Sequence, residues 1–327
     1  MPRLRSVVGA LVALLVAFWA LAPMAHAMLL LRDTQHVDGT PPVIAGIQTT
    51  DVHFYTSSDD NPIPITGWMA LAHAQAPTVI VLPGWKDDRP SMLPYASFLV
   101  SAGLNVLLID FRGTGRSGGT FSLGLREPDD VEAAVSYLDT LSSLSNHHYG
   151  LFGVSFGAGV AIAAAGGNGG AYLGEPQIRA VVADSPWSTE QRTIDTLNSL
   201  HVLGLSIPLL HDAGWAIDQT IGGSPMDRTA LAGAAHLQSD QALLIIHSLH
   251  DGNSTTPLSD AQALYQAAKA PKEWWLAPLG GHAGAYAAQP AVYSAKVWAF
   301  FKRYLVNAKD PLVTPMHTMP TTTRFGH

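Results

Sequence analysis

Apolar residues follow two rhythms along this chain, and the rhythms alternate. Residues 50–55 and 65–72 alternate apolar with polar positions, and the turn-rich Ser57-Ser58-Asp59-Asp60-Asn61-Pro62 separates them, so they predict a β-hairpin. Thr78-Val79-Ile80-Val81-Leu82 and Asn105-Val106-Leu107-Leu108-Ile109 are continuous and β-branched or leucine-rich, the pattern of parallel strands covered on both faces. Helical apolar spacing appears over residues 93–102, stopped by Gly103, and over 131–141, with Asp129-Asp130 where a cap would sit. Further strands are expected at 149–154, 178–183, 242–247 and 272–277, with helices opening at Phe156 and covering 259–268 and 293–305. Strands that alternate with helices predict an α/β fold, a mostly parallel central sheet with helices on both faces. Residues 188–239 break the rhythm with apolar but irregular material and no clean strand, and are expected to form a small lid over the sheet.

Composition adds limits. With 47% hydrophobic and 13% charged residues in 327, the chain can bury a large core. A net charge of -7 and the lack of any basic run exclude nucleic acid as an expected partner. The amino terminus stands apart: Arg3 and Arg5 precede a charge-free run over 6–31, and Ala25-His26-Ala27 has the small-x-small form of an export cleavage site. Two readings stay open, a signal peptide over 1–27 on a periplasmic or extracellular protein, or an uncleaved membrane anchor within 6–31. The absence of cysteine fits an oxidising compartment. Residues 28–47, with Gly39, Pro41-Pro42 and Gly46, are expected to link this segment to a domain over 48–306, and 307–327 to form a flexible tail.

Chemistry enters at residues 149–163. A short apolar strand, the turn Gly153-Val154-Ser155-Phe156-Gly157 and a small-residue helix fit the G-x-S-x-G elbow, in which glycines let strand and helix approach and the serine is held at the top of a sheet. A second match, Gly115-Arg116-Ser117-Gly118-Gly119, lies in a loop that opens no helix, so Ser155 is the expected nucleophile. A serine hydroxyl needs a base and a group to orient that base. His282 follows the last strand in Gly280-Gly281-His282, and Asp251 follows the strand before it, giving the order Ser155, Asp251, His282. Competing residues have blander roles. His247 and His250 are expected to pack or orient, His147-His148 to lie in a solvated loop, and Asp184 to be a less favoured acid. Asp110 and Arg112 are expected to bind one another or the neighbouring loop. His201, His211 and His236 lack the i, i+4 spacing of a helical metal site, and no metal or cofactor is expected.

These stretches, together with Leu82-Pro83-Gly84-Trp85 and Ile109-Asp110-Phe111-Arg112-Gly113-Thr114-Gly115-Arg116-Ser117, resemble the α/β-hydrolase superfamily, particularly its single-domain serine esterase and acyl-peptidase-like members, over residues 65–305. The resemblance implies a Ser-His-Asp acyl-transfer machine, a lid at 188–239, and an oxyanion hole made by the backbone N–H groups of Trp85 and Phe156. It departs from relatives at Pro83-Gly84, where they often carry His-Gly. The expected activity is cleavage of an ester, ahead of a thioester or amide, in a small and apolar acyl substrate. An acyltransferase and a non-catalytic binding protein of the same fold are the alternatives.

Overall fold

A computed structural model describes residues 2–34, 39–57, 61–170, 172–197, 199–202, 205–208 and 213–307. A long helix α1 (Pro2–Leu31) precedes two short paired strands, β1 (Val43–Ile44) and β2 (Ile47–Gln48). Then come β3 (Thr50–Tyr55), β4 (Pro64–Ala70), β5 (Thr78–Leu82), α2 (Leu93–Ser101), β6 (Asn105–Ile109), α3 (Glu127–Thr140), β7 (Tyr149–Val154), α4 (Phe156–Gly166) and β8 (Ile178–Asp184). The expected lid holds α5 (Gln191–Leu197), a hairpin of β9 (Ser199–Val202) and β10 (Leu205–Pro208), α6 (Ala213–Ile221) and α7 (Ala230–His236). The chain closes with β11 (Ala242–Ser248), α8 (Leu258–Ala267), β12 (Lys272–Ala277), α9 (Ala285–Ala288) and α10 (Pro290–Phe301).

Eight strands form one sheet in the order β12-β11-β8-β7-β5-β6-β4-β3. β3 and β4 pair antiparallel, β4 joins β6 antiparallel, and every other pairing is parallel. The central runs are buried on both faces because successive side chains alternate sides. Ile80 and Leu82 pack with α3, α4 and α8, whereas Val79 and Val81 pack with α2 and α10. The edge strand β3 alternates exposed with buried positions, as a strand covered on one face should. At β5 the chain steps to β6 on one side and returns to β7 on the other. Such a switch opens a crevice at the carboxyl ends of the strands, where ligands of open α/β sheets bind. The loop after β5 and the turn after β7 therefore meet there.

Two expectations change, and a third narrows. The irregular stretch 188–239 does contain strands, β9 and β10; their four-residue lengths are too short for a period to show. Asp129 and Asp130 do not cap α3, which starts at Glu127; they lie in its first turn, where Asp130 takes Arg112 and Asp129 takes Arg228. Of the two alternatives for Asp110 and Arg112, the neighbouring loop is the one seen for Asp110, which accepts the Arg116 N–H at 2.9 Å and also binds the buried Arg89, while Arg112 pairs with Asp130. Each of these charges has its ionic partner on another element. His211 and residues 308–327 lie outside the described residues. Leu31 is buried against the domain, and Thr34 forms an isolated bridge with Thr114, so part of the expected linker touches the fold. Counted over the described residues alone, no helix is long and apolar enough to cross a membrane.

Candidate active site

Ser155 sits between β7 and α4 with φ 53 and ψ -113, a left-handed conformation that costs a non-glycine residue about 1–3 kcal/mol. The surroundings enforce it. A Cβ on Gly153 would lie 2.2 Å from the Gly157 carbonyl oxygen, and one on Gly157 would lie 2.4 Å from that of Pro83. Both positions must be glycine for strand, helix and the β5 loop to approach this closely, which is the physical content of the G-x-S-x-G pattern. The Ser155 N–H is tied to the Asp184 carbonyl at 2.7 Å, fixing the turn to the neighbouring strand.

The structure brings the three expected side chains together. Ser155 Oγ lies 2.8 Å from His282 Nε2, and His282 Nδ1 lies 2.9 Å from Asp251 Oδ2. The Asp251 side chain is out of contact with solvent, while that of His282 is 27% exposed. Burial pushes the Asp251 carboxyl up, but hydrogen bonds from His282 and the Asn253 N–H outweigh it and hold the group below the usual carboxylate range. An ionised Asp251 only accepts, so the proton of the neutral imidazole sits on Nδ1 and Nε2 is left to accept from the serine hydroxyl. Thr256 Oγ1, 3.2 Å from the same Nδ1, gives that nitrogen a second neighbour.

A network that sequence reasoning missed braces this line. Ser185 and Ala283 also adopt left-handed backbone, with φ 56 and 51. The Ala283 N–H, next to His282, donates to Ser185 Oγ at 3.1 Å, and that hydroxyl donates to Asp184 Oδ1 at 3.0 Å. Tyr293 donates to the other Asp184 oxygen at 2.8 Å. Asp184 thus holds the elbow through its carbonyl and the His282 loop through its side chain. It is not bonded to His282, so it is not the acid of this line. With no cation bonded to it, burial pushes its carboxyl up to about 6, against the bonds from Tyr293 and Ser185. Nothing in the local sequence marks Ser185 or Ala283, because their conformation is imposed by partners about a hundred residues away.

The remaining expected residues fall into place around this arrangement. Phe156 is the first residue of α4, where a helix offers N–H groups with no carbonyl of its own turn to bind. Gly84 faces Ser155 across the crevice, the position of its absent Cβ being 3.9 Å from Ser155 Cβ, which sets Trp85 at the mouth of the site. Ser117 is buried; its hydroxyl donates to the Asp110 carbonyl at 2.8 Å and accepts from the Thr66 N–H at 2.9 Å. His247 lies in β11 with Nε2 3.7 Å from Asp251 Oδ2, beyond hydrogen-bond reach, and burial pushes its imidazole down, so it packs neutral behind the acid. His147 bonds Asp139 at the far end of the sheet, and His236 bonds the Ala232 carbonyl.

A cavity of about 610 Å³ opens over Ser155. Trp85, Phe156 and Trp187 wall it: Trp85 meets Phe156 edge-on at 5.7 Å, and Trp187 donates its indole N–H to the Phe156 carbonyl at 3.0 Å. Glu190, also in the lining, is buried, and that burial pushes its carboxyl up to about 8. It is another residue the sequence did not reveal, because an isolated glutamate in an irregular stretch carries no pattern.

Comparison with known proteins agrees with this architecture. Residues 50–203 match the X-Pro dipeptidyl-peptidase (S15 family). The structure is similar to that of the Pyrococcus furiosus esterase Pf2001, with a TM-score of 0.65 and 24% identity, covering 84% of this chain and 99% of that one. The chain has the α/β-hydrolase fold. The chain is also 29% identical over 242 residues to the uncharacterized protein YqkD of Bacillus subtilis (strain 168), covering 72% of this chain and 74% of that protein. A shorter similarity, 30% over 121 residues, links it to the acyltransferase drtE of Aspergillus calidoustus, over 36% of this chain and 37% of that one. Its fold is thus one shared by esterases and peptidases.

Proposed function

We propose that this α/β-hydrolase is a serine esterase working through a covalent acyl-enzyme. The observation that carries the reading is the hydrogen-bonded line from Ser155 Oγ through His282 to a buried Asp251. Ser155 attacks the carbonyl carbon as its proton passes to His282 Nε2, and Asp251 stabilises the imidazolium that results. His282 then delivers the proton to the leaving alcohol, and water repeats the sequence to release the acid. The N–H groups of Trp85 and Phe156 receive the negative oxygen of the tetrahedral intermediate; removing one such donor typically costs about 100- to 1000-fold in rate. The aromatic wall supports an apolar acyl or alcohol portion. An ester has a better leaving group than an amide and asks less of the site, which supports ester hydrolysis ahead of peptide hydrolysis.

The experiment is labelling with a serine-directed fluorophosphonate, followed by turnover of p-nitrophenyl esters of graded chain length beside aminoacyl nitroanilides. Labelling that persists in Ser155→Ala, or turnover of the anilides alone, would overturn the reading. Acyl transfer to an alcohol or amine is a second reading, supported by the similarity to drtE. It predicts that an added nucleophile diverts the acyl group from water. Attachment to a membrane, or export, through the N-terminal segment is proposed on Arg3, Arg5 and the charge-free run that follows. N-terminal sequencing of the protein recovered from cells separates the two.

A further inference from the structure

The turn that carries Trp85 is unusual. It is closed by the Asp87 N–H donating to the Gly84 carbonyl at 3.2 Å, and it places Lys86 at φ 51, a conformation a lysine adopts only when held there. The restraint comes from a segment 52 to 54 residues earlier in the chain. The Thr34 hydroxyl donates to the Lys86 carbonyl at 3.0 Å, and Lys86 Nζ returns a bond to the Arg32 carbonyl. Thr34 is itself fixed on both sides: its N–H donates to the Gly113 carbonyl at 3.0 Å, and its carbonyl accepts from the Gly115 N–H at 3.0 Å. Leu31, just before, is buried in the core. A Cβ on Gly113 would stand 2.4 Å from the Phe121 backbone nitrogen and 2.7 Å from Asp33 Oδ1, so the loop and the segment both lie close against this glycine.

We infer that residues 31–34 form a strap that aims the oxyanion donor, with Thr34 as a positioning residue for the Trp85 N–H. The three peptide planes of a hydrogen-bonded turn move together, so holding the plane between Lys86 and Asp87 also sets the one that presents the Trp85 N–H. The strap lies beyond Ala25-His26-Ala27 and stays with the enzyme whether or not the segment before it is removed. The inference rests on the hydrolase reading above and on Trp85 as a donor.

The test is steady-state turnover of a p-nitrophenyl ester by the full chain carrying Thr34→Val, Thr34→Ser or Lys86→Met. Thr34→Val keeps the shape and loses the donor. It is expected to lower kcat about tenfold with KM nearly unchanged, a partial loss of what one oxyanion donor supplies. Thr34→Ser keeps the donor and restores kcat to within about twofold, which a purely packing role would not predict. Lys86→Met releases the other half of the clamp and gives a smaller loss in kcat, a readout that stands even if Thr34→Val does not fold. A kcat for Thr34→Val or Lys86→Met equal to the wild type's, with Ser155 still labelled by fluorophosphonate, overturns the strap and leaves the esterase intact. Absence of Ser155-dependent turnover in the wild type removes the parent reading, and the strap falls with it.

Discussion

Gly153-Val154-Ser155-Phe156-Gly157 and Gly115-Arg116-Ser117-Gly118-Gly119 match the same five-residue pattern, and both follow buried strands of the parallel part of the sheet. In the second turn the glycines take the left-handed positions, Gly115 at φ 51 and Gly119 at φ 74, and Ser117 is relaxed and buried. Its hydroxyl is committed to two backbone partners. In the first turn the serine itself takes the left-handed position, while Gly153 and Gly157 serve only to let backbones approach. Its hydroxyl then faces a cavity and an imidazole. In the turn proposed to carry the nucleophile, the serine itself bears the strain. The letters around it are shared by a turn that merely closes a loop.

The sharpest way to break this contrast is kinetic. Ser155→Ala should lower kcat for an ester by roughly 10⁴-fold or more, while Ser117→Ala stays within about twofold, and equal losses in the two would erase the distinction. The glycines come next. In Gly157→Ala the new methyl meets the backbone oxygens of Pro83 and Leu82 at 2.4 and 2.5 Å, which cannot yield, and a loss of more than about 4 kcal/mol in urea unfolding is expected. Gly118→Ala meets ring atoms of Pro64 at 2.9 Å and should cost about 1–3 kcal/mol. A reversed order would mean that the close approach at the elbow is not what its glycine is for.

Smaller effects sharpen the picture further. Ser117→Ala strands the Thr66 N–H in the core and should cost about 1–2 kcal/mol in stability without touching the labelling of Ser155. Last is the pH dependence of the brace beneath Ser155. The Asp184 carboxyl is raised to about 6 in the fold, so the folded state holds its proton more tightly than the unfolded chain does. Its contribution to stability is therefore full below the ordinary carboxylate range and is lost as pH rises through about 6. Asp184→Asn does not titrate, so its Tm relative to wild type should climb between pH 4.5 and 7.5, and a flat difference would show that the carboxyl is solvated.

Much of the frame was legible early because its signals are local. β5, β6 and β7 announced themselves as continuous β-branched or apolar runs, and Ser155, Asp251 and His282 each follow a strand, where parallel topology must bring chain ends to one rim. The β9–β10 hairpin was not legible, since four-residue strands give no period to read. Nor were the pairings Arg89–Asp110 and Arg112–Asp130, because a buried charge takes whichever counterion the packing delivers.

The sequence alone determined the succession of strands and helices, the glycines that permit a tight elbow, and the order of Ser155, Asp251 and His282 along the chain, the residues proposed as nucleophile, acid and base. These follow from side-chain periodicity and from what a Cβ excludes, which are properties of a residue and its near neighbours. Only the tertiary structure decided that Ser185 and Ala283 share the elbow's strain, that Asp184 braces the site without bonding the imidazole, and that Thr34 reaches Lys86. Each of those includes a hydrogen bond between residues fifty or more positions apart, 52 for Thr34–Lys86, 98 for Ala283–Ser185 and 109 for Tyr293–Asp184, and a hydrogen bond carries no trace in the sequence of where its partner will be.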